Sequence, residues 1–416
     1  MRSLSPEREL TIVMFTRAAA LLLLLSLAIA SAPAQSFQVL HSFTGQGDGG
    51  HPYAGLAIDQ AGNLYGTTYD FGSAGYGIVF KLAHHNGAWT LAPLYTFQGG
   101  VDGQNPKANV VFGPDGNLYS TTWQGGTNGS GTVFKLQPSA TACHSALCSW
   151  TKNDIHDFGG LPDGGLPSGT LLFDQAGNIY GVTELGGIDD DGTVYELTHT
   201  SSGWTHTVLY GEVGGSPMSG VVFDRAGNLY GTTLIGGGLG YGSVYQLAHS
   251  GSSWTINTLT SFEDDGDGVE PVGGVIFDAA GNLYAGTSGG GDNGGGTVFE
   301  MTSAGGNWSL TNLYELPLGL FGVMASLSMD AAGNLYGATE DEGAYGYGSV
   351  FKLTRSQSGW VYTDLYDFTN GSDGAYPVGN VALDANGNIY GTAGNGGLQQ
   401  CPGSYPGCGT VWEITP

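Results

Sequence analysis

The sequence predicts an all-β protein: a closed ring of seven four-stranded antiparallel sheets. Three observations carry that prediction. One short phrase recurs seven times along the chain. The 76 glycines cluster between apolar runs, with no collagen period. The last unit lacks a strand that the beginning of the chain can supply.

The phrase reads DQAGNLYGTT at 59, GPDGNLYSTT at 113, DQAGNIYGVT at 174 and DRAGNLYGTT at 224. It returns as DAAGNLYAGT at 278, DAAGNLYGAT at 330 and DANGNIYGTA at 384. A repeat of roughly 50 residues signals propellers or solenoids. Each unit divides into four apolar stretches of strand length, and no helical period appears. In the fourth unit these are GVVFD (220–224), NLYGTT (228–233), GSVYQL (242–247) and WTINTLTSF (254–262).

Between the first two strands, Asp224-Arg225-Ala226-Gly227 fits a type I turn closed by a left-handed glycine. Asp at the first position bonds the turn backbone, and Gly takes positive φ without steric cost. The second unit has Gly113-Pro114-Asp115-Gly116, with Pro where type I turns favour it. The repeated Asp is therefore read as turn architecture rather than chemistry. Pro52, Pro106, Pro167, Pro217, Pro271 and Pro377 each precede an innermost strand, where a missing N–H is tolerated. The sixth unit has Val323 instead. Trp89, Trp150, Trp204, Trp254, Trp308 and Trp360 open the outer strands and are expected to pack between blades, with a ring of sugar-stacking sites as the alternative.

The last unit ends after GTVWEIT (409–415), its third strand. FQVLHSF (37–43) matches VYTDLYDF (361–368) in pattern and is expected to complete that blade and latch the ring. An open solenoid would need capping repeats, and none is visible. The fold expected is a seven-bladed β-propeller spanning 35–416 as a single domain.

The GNLYGTT…GTVFKL unit resembles the GloVer tandem-repeat family of bacterial exported proteins, and more distantly NHL-type propeller repeats. The resemblance covers 36–416. It implies export and a propeller-like fold, and it brings no activity with it. Members carry varied surface anchors, whereas this chain stops at Pro416 directly after its last strand.

Residues 1–34 stand outside the repeat. An apolar run over 18–30 follows Arg17 and is followed by Ala32-Pro33-Ala34. That is the pattern of a secretory signal peptide, with Met14 as an alternative start. No other segment is apolar enough to span a bilayer. A free secreted or periplasmic monomer is expected. The net charge of −26 excludes nucleic acid and anionic lipid as partners. Cys143/Cys148 and Cys401/Cys408 are two local pairs in loop insertions, read as disulfides in an oxidising compartment. The nine histidines show no metal-ligand spacing within a shared motif.

In a propeller, the loops from strand four to strand one and from strand two to strand three share one face. Function is expected there. The channel strands AGLAI, ANVVF, SGTLLF, SGVVF, GGVIF, ASLSM and GNVAL hold no Lys, Arg, His, Asp or Glu before the turn. General acid–base chemistry needs such groups within reach of one substrate. The loops leading into the blades repeat Asp-Gly at Asp48, Asp102, Asp163, Asp267 and Asp373, as turns do. In one copy Glu263, Asp265 and Asp267 alternate before Gly268, a candidate Ca²⁺ loop. Gly274 stands where an EF-hand has its bidentate Glu, and a solvated acidic turn is the alternative. Tyr69, Tyr76, Trp123, Tyr241, Tyr345, Tyr347 and Tyr405 sit in the strand two to three loops among Asp, Asn and Gly. They are candidate stacking platforms for a carbohydrate, or loop-packing residues. The apolar loop LPLGLFGVM (316–324) is either a protein-partner patch or a plug for the channel mouth.

These readings favour an exported binding or scaffold protein that recognises carbohydrate or a cell-surface partner through its mouth loops. The alternative is a propeller lyase or hydrolase acting on polysaccharide or a small secreted metabolite. That requires carboxylates such as Glu184, Asp189, Glu340 and Asp341 to converge. A purely structural matrix protein is the third reading.

Overall fold

A computed structural model describes residues 35–138, 150–251, 253–263, 266–317, 319, 321–397, 401–403 and 406–416. The main compact unit is Phe37–Ile414. A small second unit comprises Met1–Ser36 and Thr415–Pro416; within it Thr415 Oγ1 donates to the Ser36 carbonyl at 3.4 Å.

The main unit is a seven-bladed propeller, each blade a four-stranded antiparallel sheet. Blades 1 to 7 begin at inner strands Ala57–Ile58, Val111–Phe112, Leu172–Phe173, Val222–Phe223, Ile276–Phe277, Ser328–Met329 and Ala382–Leu383. In blade 7 the outer strand is Ser36–Ser42, paired beside Thr410–Thr415. The expected latch is therefore present. Leu40 and Phe43 bury their side chains there.

Each second strand is buried along its length, as in Leu64–Thr68 and Leu229–Thr233. Packing explains the residue at its centre, a glycine in five blades and the small Ser120 and Ala285 in blades 2 and 5. A Cβ on Gly391 would lie 2.2 Å from the Trp412 ring, and one on Gly66 would lie 2.6 Å from Phe80. The missing or small side chain makes room for a large aromatic on the third strand. That slot holds the fully buried Phe80, Phe134, Tyr195, Tyr245, Phe299, Phe351 and Trp412. The outer-strand tryptophans pack against the tyrosine of the preceding blade, as expected. Trp308 meets Tyr230 at 5.9 Å, Trp360 meets Tyr284 at 6.1 Å, and Trp89 meets Tyr390 of blade 7 at 6.4 Å.

The DxxGN turn uses every residue it repeats. Asp224 Oδ1 accepts from the N–H groups of Ala226 and Asn228 at 2.8 and 2.9 Å. Its Oδ2 accepts from Asn228 Nδ2 at 2.7 Å and the Tyr230 hydroxyl at 3.1 Å. So the Asn and Tyr of GNLY are held by the Asp. In blade 2, where Gly113 replaces the Asp, Asp115 bonds Asn117 N and the Tyr119 hydroxyl instead. Burial opposes charge at Asp224, but the summed hydrogen bonds hold its carboxyl below the ordinary range.

The inner strands are shorter than the sequence suggests. Only two residues of each pair with their own blade. The residues before them turn their carbonyls to the neighbouring blade. Ala108 O accepts from Thr67, Pro167 O from Thr121, Gly273 O from Thr232, and Ala54 O from Thr392. The bond from blade 7 to blade 1 is the same as the others, so the ring is closed.

The residue before each proline is a node that sequence reading missed. His51, Asn105, Leu166, Ser216, Glu270 and Tyr376 all have φ between 43° and 57°. This left-handed conformation costs a non-glycine residue about 1–3 kcal/mol. Two backbone bonds hold each one. Asn105 N donates to Tyr76 O of the preceding blade, and Asn105 O accepts from Trp123 N of its own blade. In blade 6, Val323 replaces the proline and its N–H donates to Thr287 O at 3.2 Å, a bond proline cannot make.

Candidate functional site

The nodes fix where the next residues point. The first residue after each proline position supplies Tyr53, Lys107, Ser168, Met218, Val272, Met324 and Val378, all lining one central cavity of about 190 Å³. Below them lies a polar floor. Asn109 Nδ2 donates to Thr170 Oγ1 at 2.9 Å and to Asn380 Oδ1 at 2.7 Å. Asn109 Oδ1 accepts from Gly55 N at 2.6 Å. One side chain of blade 2 thus ties blades 1, 3 and 7 across the channel. Ser326 Oγ accepts from Gly274 N at 2.9 Å and lies 3.3 Å from Ser219 Oγ on the other side.

The two sets of loops share one face, as expected. Loops into each blade pair with its own strand two to three loop, as in the bridges Gly50↔Asp70, Gln104↔Gln124 and Ala375↔Asn395. Four of the Asp-Gly motifs act as turn caps. Asp48, Asp102, Asp163 and Asp373 accept from the N–H four residues earlier, at 2.7 to 3.0 Å. Each also takes a side chain from the outer strand: His41, Tyr95, His156 and Tyr366.

Of the predicted aromatics, Tyr69 and Trp123 come together at the mouth. Tyr53, missed in the sequence, joins them, with ring centroids 5.5 Å from Tyr69; Tyr69 lies 6.3 Å from Trp123. Trp123 Nε1 is buried with no hydrogen-bond partner among the described residues. Lys107 Nζ lies 4.5 Å from the Trp123 ring and 2.5 Å from Glu184 Oε1. The channel strands do lack charge, but Lys107 sits just ahead of one, where the strand reading did not look.

The other aromatics are dispersed. Tyr76 is 38 % exposed and lies over Gly99, Tyr241 is exposed on blade 4, and Tyr345 is 61 % exposed on the rim of blade 6. Tyr347 packs into the blade 6/7 core beside Tyr376. Tyr405 lies outside the described residues. Of the carboxylates proposed for catalysis, Glu184 is paired with Lys107, and Asp341 accepts from Phe321 N at 2.7 Å. Burial, then Asp341, pushes the Glu340 carboxyl up. Asp189 is exposed on blade 3.

The candidate Ca²⁺ loop is only partly described. Glu263 and Asp267 are exposed, the Asp267 carbonyl accepts from Thr297 Oγ1, and Asp265 lies outside the described residues. Cys401 and Cys408 form the expected disulfide, Cα atoms 5.2 Å apart. Cys143 and Cys148 lie outside the described residues, as does the segment 1–34. The 316–324 loop divides its roles: Leu316 and Val323 are buried in the blade 5/6 core, Met324 lines the channel, and Phe321 is 46 % exposed. No described helix is long and apolar enough to cross a membrane.

Solved structures share the fold. A putative 6-phosphogluconolactonase from Bacteroides fragilis aligns at 16 % identity, covering 75 % of this chain and 82 % of that one, TM-score 0.50. A second, from Bacteroides uniformis, aligns at 14 % identity over 74 % and 82 %, TM-score 0.49. A putative oxidoreductase (glucose dehydrogenase) from Thermus thermophilus aligns at 14 % over 92 % and 100 %, TM-score 0.44. Such identities speak to the fold alone. No curated protein matches the chain. The profile of the Gloeobacter/Verrucomicrobia repeat matches residues 28–210 and 240–416, and the chain belongs to that repeat family.

Proposed function

We propose that this protein is an exported binding propeller whose channel mouth takes a neutral carbohydrate. The observation that carries the reading is the Tyr53–Tyr69–Trp123 cluster above the Asn109–Thr170–Asn380 floor. Sugars present apolar C–H faces and hydroxyl edges. Aromatic walls suit the faces, and amide and hydroxyl groups suit the edges. Lys107, already neutralised by Glu184, adds polarity without a free charge. The apolar run at 18–30 and the Cys401–Cys408 disulfide support export.

Calorimetric titration of the full chain with neutral cell-wall and plant oligosaccharides tests this. A ligand at 100 times its Kd adds about 2.7 kcal/mol of stability, easily seen in a melt. Binding that disappears in Trp123→Ala supports the mouth. A flat panel, or binding unaffected by that change, removes the carbohydrate reading.

A further inference from the structure

Between blades 2 and 3, away from the channel, the fold gathers two histidines on one carboxylate. His156 Nε2 lies 3.0 Å from Asp163 Oδ2, and His206 Nδ1 lies 2.9 Å from Asp163 Oδ1. The three ligand atoms lie within 4.8 Å of one another. The imidazoles stack at 4.1 Å with planes 7° apart. They come from outer strands of neighbouring blades, Thr151–Asp157 and Gly203–Tyr210.

The same two slots in other blades show what is ordinary here. Around Asp48 they hold His41 and Leu91, around Asp102 Tyr95 and Lys152, and around Asp373 Tyr366 and Phe37. Phe37 and Tyr366 stack at 3.6 Å, so stacking in these slots is architecture. The cap on Gly159 N is architecture too. What the architecture does not require is a second imidazole in the slot that takes Leu91, Ile256 or Leu310 elsewhere. His206 is 9 % exposed at its side chain, and its Nε2 has no partner. A leucine there would bury apolar surface with no such cost.

We propose that His156, Asp163 and His206 form a binding site for a borderline divalent transition metal such as Zn²⁺, Ni²⁺ or Co²⁺. Two imidazoles and a carboxylate are the donor set these ions favour. Each imidazole nitrogen lies about 3 Å from a carboxylate oxygen, the spacing of adjacent positions around an ion with bonds near 2.0–2.1 Å. Metal binding would exchange the two imidazole–carboxylate hydrogen bonds for coordination by the same nitrogens. A cavity of about 410 Å³ beside Asp163 and His206, lined also by Ile188 and Val208, leaves room for water as a further ligand.

The test uses the full chain, stripped with chelator and then titrated with Co²⁺ and Zn²⁺. Expected are the visible absorption bands of a protein-bound Co²⁺, saturating at one ion per chain, and calorimetric Zn²⁺ binding. His206→Leu puts into the slot what other blades carry there, and is expected to weaken Zn²⁺ binding roughly 100-fold or more. His41→Leu, at the one-histidine counterpart, is expected to change nothing. Asp163→Asn keeps an acceptor for the turn and serves as the second variant should His206→Leu not fold. The proposal is overturned by a wild type that shows no cobalt bands, or by variants at 206 and 163 that bind as wild type does.

Discussion

The two faces of the ring are built from the same seven repeats, yet they differ in kind. On the hairpin face, Asp59, Asp174, Asp224, Asp278, Asp330 and Asp384 make nearly the same set of bonds to their own turns. Every partner lies within six residues of the Asp. On the mouth face, side chains from different blades meet. Lys107 and Glu184 are 77 residues apart, and Asn109 and Asn380 are 271 apart. Local bonds repeat whenever the local sequence repeats. Convergence across a ring depends on what each blade contributes, so one substitution in one copy creates a site.

That contrast can be broken in the core that both faces share. Phe158 is fully buried under the blade 2 to 3 loop and packs on Tyr195 at 5.1 Å. Phe158→Ala is expected to cost about 3–5 kcal/mol, read by denaturant unfolding. The next effect is confined to the hairpin face. Asp224→Ala strips one carboxylate from four donors and is expected to cost about 2–3 kcal/mol. The same change at Asp278 is expected to match it within error, and neither is expected to alter ligand binding. Unequal costs, or a change in binding, would break the comparison. At the mouth the pattern reverses. Trp123→Ala is expected to weaken carbohydrate binding at least tenfold, about 1.4 kcal/mol or more, because a central aromatic anchor is lost.

pH sharpens the comparison with smaller effects. The turn carboxyls of Asp59, Asp224, Asp278 and Asp330 are held low against burial by their hydrogen bonds. Their stabilisation is present above the unfolded value of about 3.9 and is lost as pH falls through the folded one. The stability gap between wild type and Asp224→Asn should therefore narrow in melts taken below about pH 4. Glu342, in the strand two to three loop of blade 6, behaves oppositely. Burial, and then Asp341, pushes its carboxyl up to about 7. The fold favours its protonated form, so stability falls as pH rises from the unfolded value of about 4.3 through 7. Glu342→Gln is expected to flatten that part of the profile; an unchanged slope would show that Glu342 is not its source.

The sequence made the hairpin face legible because turn chemistry is local. Asp, Gly and Asn at fixed offsets read as a turn, and the tryptophans and prolines kept their spacing. Even there, the role of Tyr230 and its counterparts was hidden, since nothing in a turn rule asks what a strand residue two positions further on will reach. The mouth was half legible. The loops were correctly assigned to one face, and Tyr69 and Trp123, both picked from them, lie side by side. Tyr53 and Lys107 were missed because the residue after a proline carries no signal of its own. The left-handed residue before each proline aims it, and X-Pro residues are ordinarily read as extended. The histidine pair was invisible because His156 and His206 stand in separate repeats, and a motif search looks within one.

The sequence by itself determined the repeat number, the four-stranded blade, the turn geometry, the latch and the Cys401–Cys408 disulfide. Each depends on contacts between near neighbours or on patterns that recur at a fixed period. Only the tertiary structure decided which of seven copies face one another across the channel and at blade edges. Ring closure brings Asn109 to Asn380, while the packing of neighbouring blades brings Lys107 to Glu184 and His156 to His206. The reason is physical: a repeat specifies its own sheet through local packing, while a site is specified by differences between copies that meet only once the blades have packed against one another.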